Sequence, residues 1–361
     1  MTGPRRRRPT LDDVADDVGV SRATVSNAYN RPDQLSAQLR EEVLRAAKRL
    51  GYPGPNPVAR SLATSRAGAI AFMLDTNLSA AFSDPALSIT LDALATEITP
   101  SGHALLLLPG GHDGGPHADR VLAAQADLAV AYSLADHAPA LRAVRDRGLP
   151  LVVIDQPVVP GAARVSTDDR GGAVAAAKHL LDLGHRRFGI LSAQCLSEPR
   201  EGPLSVAEAG QSRFADNRAR LEGYLDTLAA AGVALDGVAI WETSGLFREP
   251  AMKAAHELLR RDPRPTALLC MSDELALAAL TVAKQLGLAV PEQLSVVGFD
   301  DTPPAGWAEP ALTTIRQDLV RKGKIAGELA MRLLAGKRPP KPTTLDVELV
   351  VRASTGPPSR E

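Results

Sequence analysis

Polar side chains that can bind a small molecule follow several short apolar runs in the chain. The runs "AFML" and "LVVI" are each followed by an aspartate, and Arg220 opens a later helical segment. Carboxylates and one arginine around an otherwise apolar cleft suit a polyhydroxylated or nitrogen-bearing metabolite. We expect Asp273 to cap the helix after it, since a carboxylate at a helix start accepts free N–H groups. The residues at the run ends are Asp75, Tyr132, Ser133, Asp155, Ser272, Asp273, Asp300 and Asp301.

The elements that must position these residues alternate between strand-like and helix-like patterns. "AGAIAFML", "HALLLLP" and "DLAVAYS" predict strands, while "SITLDALATEITPSG" and "APALRAVRDRG" predict the helices between them. Such alternation predicts parallel sheets with helices on both faces. The cycle repeats after Thr167, so 67–361 is predicted to be an α/β core of two Rossmann-like subdomains. Ligands in such sheets bind at the carboxyl ends of the strands.

The beginning of the chain has a helical organisation instead. "TLDDVADDV" places apolar residues at helical spacing behind Thr10 as N-cap, Gly19 allows a sharp turn, and Ser21 can cap a second helix. A third amphipathic segment begins at Ser36 and ends at Gly51. Two helices joined by a glycine-containing turn predict a helix-turn-helix, and the third completes an all-α three-helix headpiece over 10–54. The third helix is expected to bury Leu39, Val43, Ala46, Ala47 and Leu50.

The charge distribution separates a basic head from an acidic body. Residues 1–66 carry 12 Lys and Arg against 7 Asp and Glu, and the remaining residues carry 29 against 35. This asymmetry indicates that only the head approaches a polyanion such as DNA. The basic arm 1–9 contains "RRRR", from Arg5 to Arg8, which either contacts phosphates and the minor groove or is a solubilising tail.

Several function classes are disfavoured by what the sequence lacks. At 361 residues the chain is long enough for two or three domains, and no run of about 18 apolar residues or signal-peptide pattern is present. We therefore expect a cytoplasmic, nucleoid-associated protein without membrane contact. No metal-ligand spacing, phosphate-cradling glycine loop or nucleophile–histidine set is found, so we expect no metal, no cofactor and no catalysis. Cys195 and Cys270 are expected to be free thiols.

Three blocks in order, "TLDDVADDVGVSRATVSNAYN", "LSAQLREEVLRAAKRLGY" and "NPVARSLATSRAGAI", resemble the head and hinge of the LacI/GalR family of bacterial transcription regulators. The "KHLLDLGHRRFGIL" segment is also similar to that family, and the resemblance extends to "LDVELVVRAST". We interpret His179 and His185 in this segment as structural. The resemblance implies a hinge helix over 55–66 and a core like a periplasmic binding protein. We assign 67–167 plus 303–317 to the first subdomain and 168–302 plus 318–361 to the second.

The resemblance also implies which residues contact DNA. Arg22, Ala23 and Asn27 match the base-reading positions, although Asn27 stands where many members have arginine. Arginine pairs with guanine and asparagine with adenine in the major groove. Leu62 matches the apolar wedge of the hinge in the minor groove, together with Asn56, Ala59 and Arg60. Phosphate contacts or helix support are assigned to Thr10, Ser21, Thr24, Ser26, Tyr29 and Asn30, of which Thr24, Ser26 and Tyr29 are equally compatible with packing.

An effector site in the core is the last implication of the resemblance. The residues expected there are Asp75, Phe82, Tyr132, Asp155, Asp216, Arg220, Ser272, Asp300 and Gln317. The leading hypothesis is a homodimeric repressor that binds a pseudo-palindromic operator in double-stranded DNA under the control of a sugar-like or nucleoside-like metabolite. One alternative replaces the metabolite by a protein partner, and another makes the core an enzyme or a transport-type binding protein.

Overall fold

Three short helices form the first of two units, and each begins at a polar cap. The computed structural model describes residues 8–55, 61, 66–111, 115–196, 200–244 and 248–359, and it divides the chain into units Met1–Ala67 and Gly68–Glu361. The helices are α1 (Leu11–Val18), α2 (Arg22–Asn30) and α3 (Ala37–Leu50). The side chains of Thr10, Ser21 and Ser36 accept backbone N–H groups at the three helix starts, as the sequence predicts.

The headpiece core is built from small aliphatic residues of all three helices. Val14, Val25 and Val43 are fully buried in it. Leu50 is 36% exposed, so its predicted burial was wrong. It is the last residue of α3, directly before the left-handed turn at Gly51. The predicted hinge residues Asn56, Ala59, Arg60 and Leu62, and Arg5 to Arg7 of the arm, lie outside the described residues.

Strands and helices alternate through the second unit. The strands are β1 (Ala69–Leu74), β2 (Ala104–Leu108), β3 (Leu128–Tyr132), β4 (Leu151–Ile154), β5 (Ala163–Thr167), β6 (Phe188–Ser192), β7 (Gly202–Leu204), β8 (Ala239–Glu242), β9 (Ala267–Cys270), β10 (Ser295–Asp300), β11 (Thr313–Arg316), β12 (Thr343–Leu345) and β13 (Glu348–Val350). The helices are α4 (Leu78–Ser83), α5 (Pro85–Ile98), α6 (Ala118–Ala123), α7 (Pro139–Asp146), α8 (Asp169–Asp182), α9 (Val206–Ala209), α10 (Ala215–Ala230), α11 (Arg248–Leu259), α12 (Asp273–Gln285), α13 (Pro303–Trp307) and α14 (Leu319–Leu334). Among the helices that the structure describes, none is long and apolar enough to cross a membrane.

Two largely parallel sheets confirm the predicted pair of Rossmann-like subdomains. The first sheet has the order β12-β5-β4-β3-β1-β2, and all its pairs are parallel. The second has the order β13-β11-β10-β9-β6-β8-β7, with antiparallel edge strands β13 and β7. The carboxyl ends of the parallel strands provide the rim at which a ligand can bind.

The chain crosses between the subdomains differently from the sequence-based assignment. That assignment placed 303–317 in the first subdomain and 318–361 in the second. The first placement was wrong for β11, and the second was wrong for α14 and β12 but not for β13. β11 pairs with β10 in the second sheet, whereas α14 packs on α5 and β12 pairs with β5 in the first. β13 then returns to β11. The close packing of α14 on α5 depends on Gly323, because a Cβ there would overlap the carbonyl oxygen of Thr90.

The two histidines of the "HLLDLGH" segment hold the second subdomain together, as predicted. His185 Nδ1 lies 2.9 Å from Thr266 Oγ1, and its Nε2 lies 2.9 Å from the carbonyl oxygen of Gly356. His179 Nε2 lies 3.0 Å from Thr355 Oγ1. Burial lowers the pKa of both rings, which favours the neutral imidazole that such hydrogen bonds use.

Candidate functional site

The outward face of α2 carries the predicted base-reading side chains. Val25 and Ala28 are fully buried on the inward face. The Arg22 side chain is 73% exposed, and its Nε lies 3.7 Å from Asp12 Oδ1. An exposed pair of this kind contributes little, so the guanidinium is available to a base edge. Successive residues of a helix are about 100° apart around its axis. One face of α2, about 140° wide, therefore carries Arg22, Ala23, Ser26, Asn27 and Asn30.

The predicted supporting residues of the headpiece divide by their contacts. Thr10 and Ser21 are helix caps, and Thr24 Oγ1 lies 2.8 Å from Ser21 Oγ. The Tyr29 ring packs edge-on against the Tyr52 ring, with centroids 6.1 Å apart. Of the two roles predicted for Tyr29, phosphate contact and helix packing, this contact supports packing. Along the outward face, Asn30 Nδ2 donates to Ser26 Oγ at 3.2 Å, which places two polar groups where a groove would lie.

Eight of the nine predicted effector residues line one cavity between the two subdomains. The cavity has a volume of about 470 Å³, large enough for a small metabolite. The predicted residues among its lining come mostly from strand ends in both sheets and from the start of α10, as expected for open α/β sheets. The eight residues are Asp75, Tyr132, Asp155, Asp216, Arg220, Ser272, Asp300 and Gln317.

Three residues at the strand ends adopt the left-handed backbone conformation. Ser133 follows β3 with φ 47°, Asp155 follows β4 with φ 62°, and Asp300 ends β10 with φ 121°. All three line the cavity. Residues other than glycine rarely adopt a positive φ. Those that do are concentrated at binding and active sites, where the surrounding structure stabilises the strained backbone.

Lys322 is a cavity residue that the sequence analysis missed. Its Nζ lies 2.9 Å from Asp155 Oδ1 and donates to Gln317 Oε1 at 2.5 Å, and the residue is only 2% exposed. Gln317 Nε2 in turn donates to Asp300 Oδ1 at 2.7 Å. The available signal was its position on α14, where a lysine stands one turn after Leu319 on an otherwise apolar face. A buried charge at such a position requires a partner.

Arg220 is fixed by Asp169, a second residue that the sequence analysis missed. Arg220 Nη2 lies 2.8 Å from Asp169 Oδ1, and its Nη1 donates to the carbonyl oxygen of Met271. The guanidinium carbon also lies 3.7 Å from the centroid of the Phe299 ring. These contacts from a helix, a strand and the loop after β9 hold the arginine in one position at the cavity wall.

Acidic groups outnumber basic groups in the cavity lining. Burial raises the pKa of Asp75 to about 7, and the charge of Asp216 adds to this effect. Burial and the charge of Asp169 raise the pKa of Asp216 to about 7, against the opposing effect of Arg220. The lining therefore favours hydroxyl groups, which bond to either form of a carboxyl, and ammonium groups, which favour its ionised form, over anions. No group of three His, Cys, Asp or Glu residues within the described ranges is arranged to hold a metal ion. The lining carboxylates are Asp75, Asp84, Asp155, Asp216 and Asp300, and the cations are Arg220 and Lys322.

Two predictions for polar and aromatic groups were wrong. Phe82 lies outside the cavity lining and is 68% exposed, because its position on α4 directs it to the surface while Ala80 lines the cavity. Ser272, rather than Asp273, is the N-cap of α12. Asp273 is fully buried, and its Oδ2 accepts the backbone N–H of Thr302 at 2.7 Å.

Direct contacts also join the subdomains beside the cavity. Arg218 Nη2 lies 3.3 Å from Asp136 Oδ2, and the backbone N–H of Asp136 donates to the carbonyl oxygen of Arg213 at 2.8 Å. The backbone N–H of Asp216 donates to Gln156 Oε1 at 2.9 Å. A movement of one subdomain against the other must therefore break or stretch these bonds.

Comparison with family models matches both units. Residues 10–56 match the model for bacterial regulatory proteins of the lacI family, and residues 177–355 match the periplasmic binding protein-like domain. An HTH-type transcriptional regulator of Mycobacterium tuberculosis is 41% identical over 367 residues, which is 99% of this chain and 100% of that protein.

Two solved structures are similar over nearly the whole chain. The crystal structure of the lac repressor dimer bound to operator and the anti-inducer ONPF matches with a TM-score of 0.77 and 25% identity, over 97% of this chain and 100% of that chain. The complex of the transcriptional regulator CelR with cellobiose matches with a TM-score of 0.67 and 29% identity, over 96% of this chain and 100% of that chain.

Proposed function

The chain belongs to the lacI family of bacterial regulatory proteins, and we propose that it is a repressor whose operator affinity is controlled by a small hydroxyl-rich metabolite. The metabolite is sugar-like or nucleoside-like and binds in the cavity between the subdomains. The protein acts as a homodimer, so that two headpieces read the halves of a pseudo-palindromic operator. The similarity to a repressor dimer on its operator supports this arrangement.

The observation that carries the proposal is the meeting of side chains from both subdomains in one cavity. A ligand that bonds to Asp75 on the first subdomain and to Asp300 on the second holds the two together. It can shift a conformational equilibrium only by its difference in affinity for the two states. Such coupling is typically about 1–3 kcal/mol, which is about 5- to 150-fold in operator affinity.

The chemistry of the lining supports a neutral, hydroxyl-bearing effector. Carboxylate oxygens accept hydrogen bonds from hydroxyl groups, and Arg220 donates to ligand oxygens. The aspartates disfavour a phosphorylated ligand, since a phosphate would either be repelled by ionised carboxylates or require them to take up protons. The CelR structure contains cellobiose, a ligand of this class, in a similar fold.

The headpiece supplies the DNA contacts of the proposal. Arg22 donates to the O6 and N7 of guanine, and Asn27 pairs with adenine. Leu62 of the hinge enters the minor groove as an apolar wedge, and the arm at Arg5–Arg8 adds salt-sensitive phosphate contacts.

The first experiment selects random duplex DNA on the purified full-length protein at two salt concentrations. We expect a palindrome with an easily opened central step. The enriched DNA then serves as a probe in anisotropy titrations with neutral sugars, polyols and nucleosides, each paired with its phosphorylated form. We expect one neutral class, and not its phosphate, to change operator affinity by about 5- to 150-fold.

Variants assign the response to the cavity. Arg220→Gln is expected to abolish the response while it retains operator binding, and Arg170→Gln, whose side chain is 54% exposed, is the matched control. Salt-sensitive binding without sequence enrichment, even after addition of a metabolite extract, would overturn the repressor proposal. An operator response to no small molecule would overturn metabolite control and favour a protein partner.

A further inference from the structure

The amide of Asn27 on the outward face of α2 is joined to a residue of the following turn. Asn27 Nδ2 donates to Gln34 Oε1 at 3.3 Å. Asn27 is half-buried, whereas Gln34 is exposed.

The backbone places Gln34 beside Asn27 through local hydrogen bonds. A 3₁₀ turn over Pro32–Gln34 follows α2 directly. The N–H of Arg31 donates to the carbonyl oxygen of Asn27 at 2.8 Å, and the N–H of Gln34 donates to that of Arg31 at 3.0 Å. The turn thus brings the chain back over the last turns of α2, and the Gln34 side chain has only a short distance to span.

We infer that Gln34 is a positioning residue for sequence recognition, which fixes the Asn27 amide so that its free oxygen and second N–H select adenine. The inference rests on the proposed function, because it requires the outward face of α2 to enter the major groove. Gln34 then affects the preference for adenine at the one base pair in each half-site that Asn27 contacts.

The hydrogen-bonding capacity of an amide explains the choice of base. A side-chain amide offers one acceptor oxygen and two N–H donors. Gln34 occupies one donor of Asn27, so one acceptor and one donor remain. Adenine presents the complementary N6–H donor and N7 acceptor in the major groove, whereas guanine presents two acceptors there. Without Gln34 the amide can rotate and exchange its nitrogen and oxygen, and the match to adenine is lost for part of the population.

The test compares selected DNA sequences for the full-length wild type and four variants. Gln34→Met removes the acceptor at nearly constant size, and Gln34→Glu keeps an acceptor for the Asn27 N–H. Asn27→Ala removes the amide itself, and the double variant Asn27→Ala/Gln34→Met tests whether Gln34 acts through Asn27. Circular dichroism of each variant checks that the helices are retained.

In the wild type we expect adenine over the other bases by about 5-fold or more at one symmetric position, which corresponds to the lower end of a bidentate contact. Gln34→Met is expected to reduce this preference to under about 2-fold, and the double variant should match Asn27→Ala. Gln34→Glu should keep the adenine preference, while its negative charge weakens binding to all sequences.

Three results would overturn the inference. Gln34→Met with an unchanged preference would show that Gln34 does not act on Asn27. Uniformly weaker binding by Gln34→Met with an unchanged preference would make it a phosphate contact. If the wild type enriches no sequence, the proposed function is overturned as well. This result differs from failure of the Gln34 inference alone, in which the wild type still shows a base preference at some positions.

Discussion

Lys322 Nζ lies 2.9 Å from Asp155 Oδ1 in the cavity between the subdomains, and their side chains are only 3% and 9% exposed. Lys322 belongs to α14, and Asp155 follows β4 of the same subdomain. Through Gln317 the pair is connected to Asp300 at the end of β10 in the other subdomain. This chain of hydrogen bonds therefore joins two carboxylates of the cavity lining to the segment where the chain crosses between subdomains.

Replacement of Lys322 by methionine is expected to destabilise the core. It leaves the Asp155 carboxylate buried without its cation, and such a loss typically costs about 3–5 kcal/mol. The measurement is the unfolding midpoint in urea. Lys324→Met is the matched control, because Lys324 is exposed on the same helix, and a change within about 0.5 kcal/mol is expected for it. Equal midpoints for the two variants would contradict a structural role of the Lys322–Asp155 pair.

The carboxyl of Asp75 is expected to make stability depend on pH. Its pKa rises from 3.8 to about 7 on folding, so between these values the folded state binds more protons than the unfolded state. The free energy of unfolding therefore falls as pH rises from about 4 to about 7, and this group causes no further fall above that range. Asp75→Asn cannot ionise. It should unfold at a higher temperature than the wild type at pH 8, with a smaller difference at pH 5.

The control for this pH dependence is an aspartate outside the cavity. The Asp146 side chain is 59% exposed, so Asp146→Asn should follow the wild type at both pH values. Scanning calorimetry of the three proteins provides the comparison. An Asp75→Asn variant that is less stable than the wild type at pH 8 would show that the desolvation of the ionised carboxylate is compensated by contacts in the cavity.

The Asp136–Arg218 ion pair is expected to limit opening of the cleft. Its side chains are 27% and 31% exposed, so its contribution is modest, about 0.5 kcal/mol. Asp136→Asn should therefore increase amide hydrogen exchange in 212–218 by about 2-fold. Asp226→Asn is the control, because Asp226 pairs with Arg170 within one subdomain. Equal exchange rates in the two variants would show that the pair does not hold the subdomains together.

The features that the sequence predicted correctly depend on residues close together in the chain. Most of those that it did not predict depend on contacts between residues far apart in the chain. The caps at Thr10 and Ser21 depend on residues three positions away, and strand-end aspartates follow from the βα alternation itself. Arg220 and Asp169 are 51 positions apart, so no local pattern indicates their pairing. β11 has the same apolar pattern whichever sheet it joins, which is why the subdomain assignment of the crossing segments was wrong.

The contact of α14 with α5 makes a final prediction about stability. A Cβ at Gly323 would meet the backbone oxygen of Thr90, which cannot move away as a side chain could. Gly323→Ala is therefore expected to destabilise the core by about 1–3 kcal/mol, as overpacking does, although alanine is the better helix former. Gly237→Ala is the matched control, since no atom lies within 4 Å of its added Cβ. Thermal unfolding compares the two. A Gly323→Ala protein as stable as the wild type would mean that the helices can separate at no cost, and that their close packing is not required by the fold.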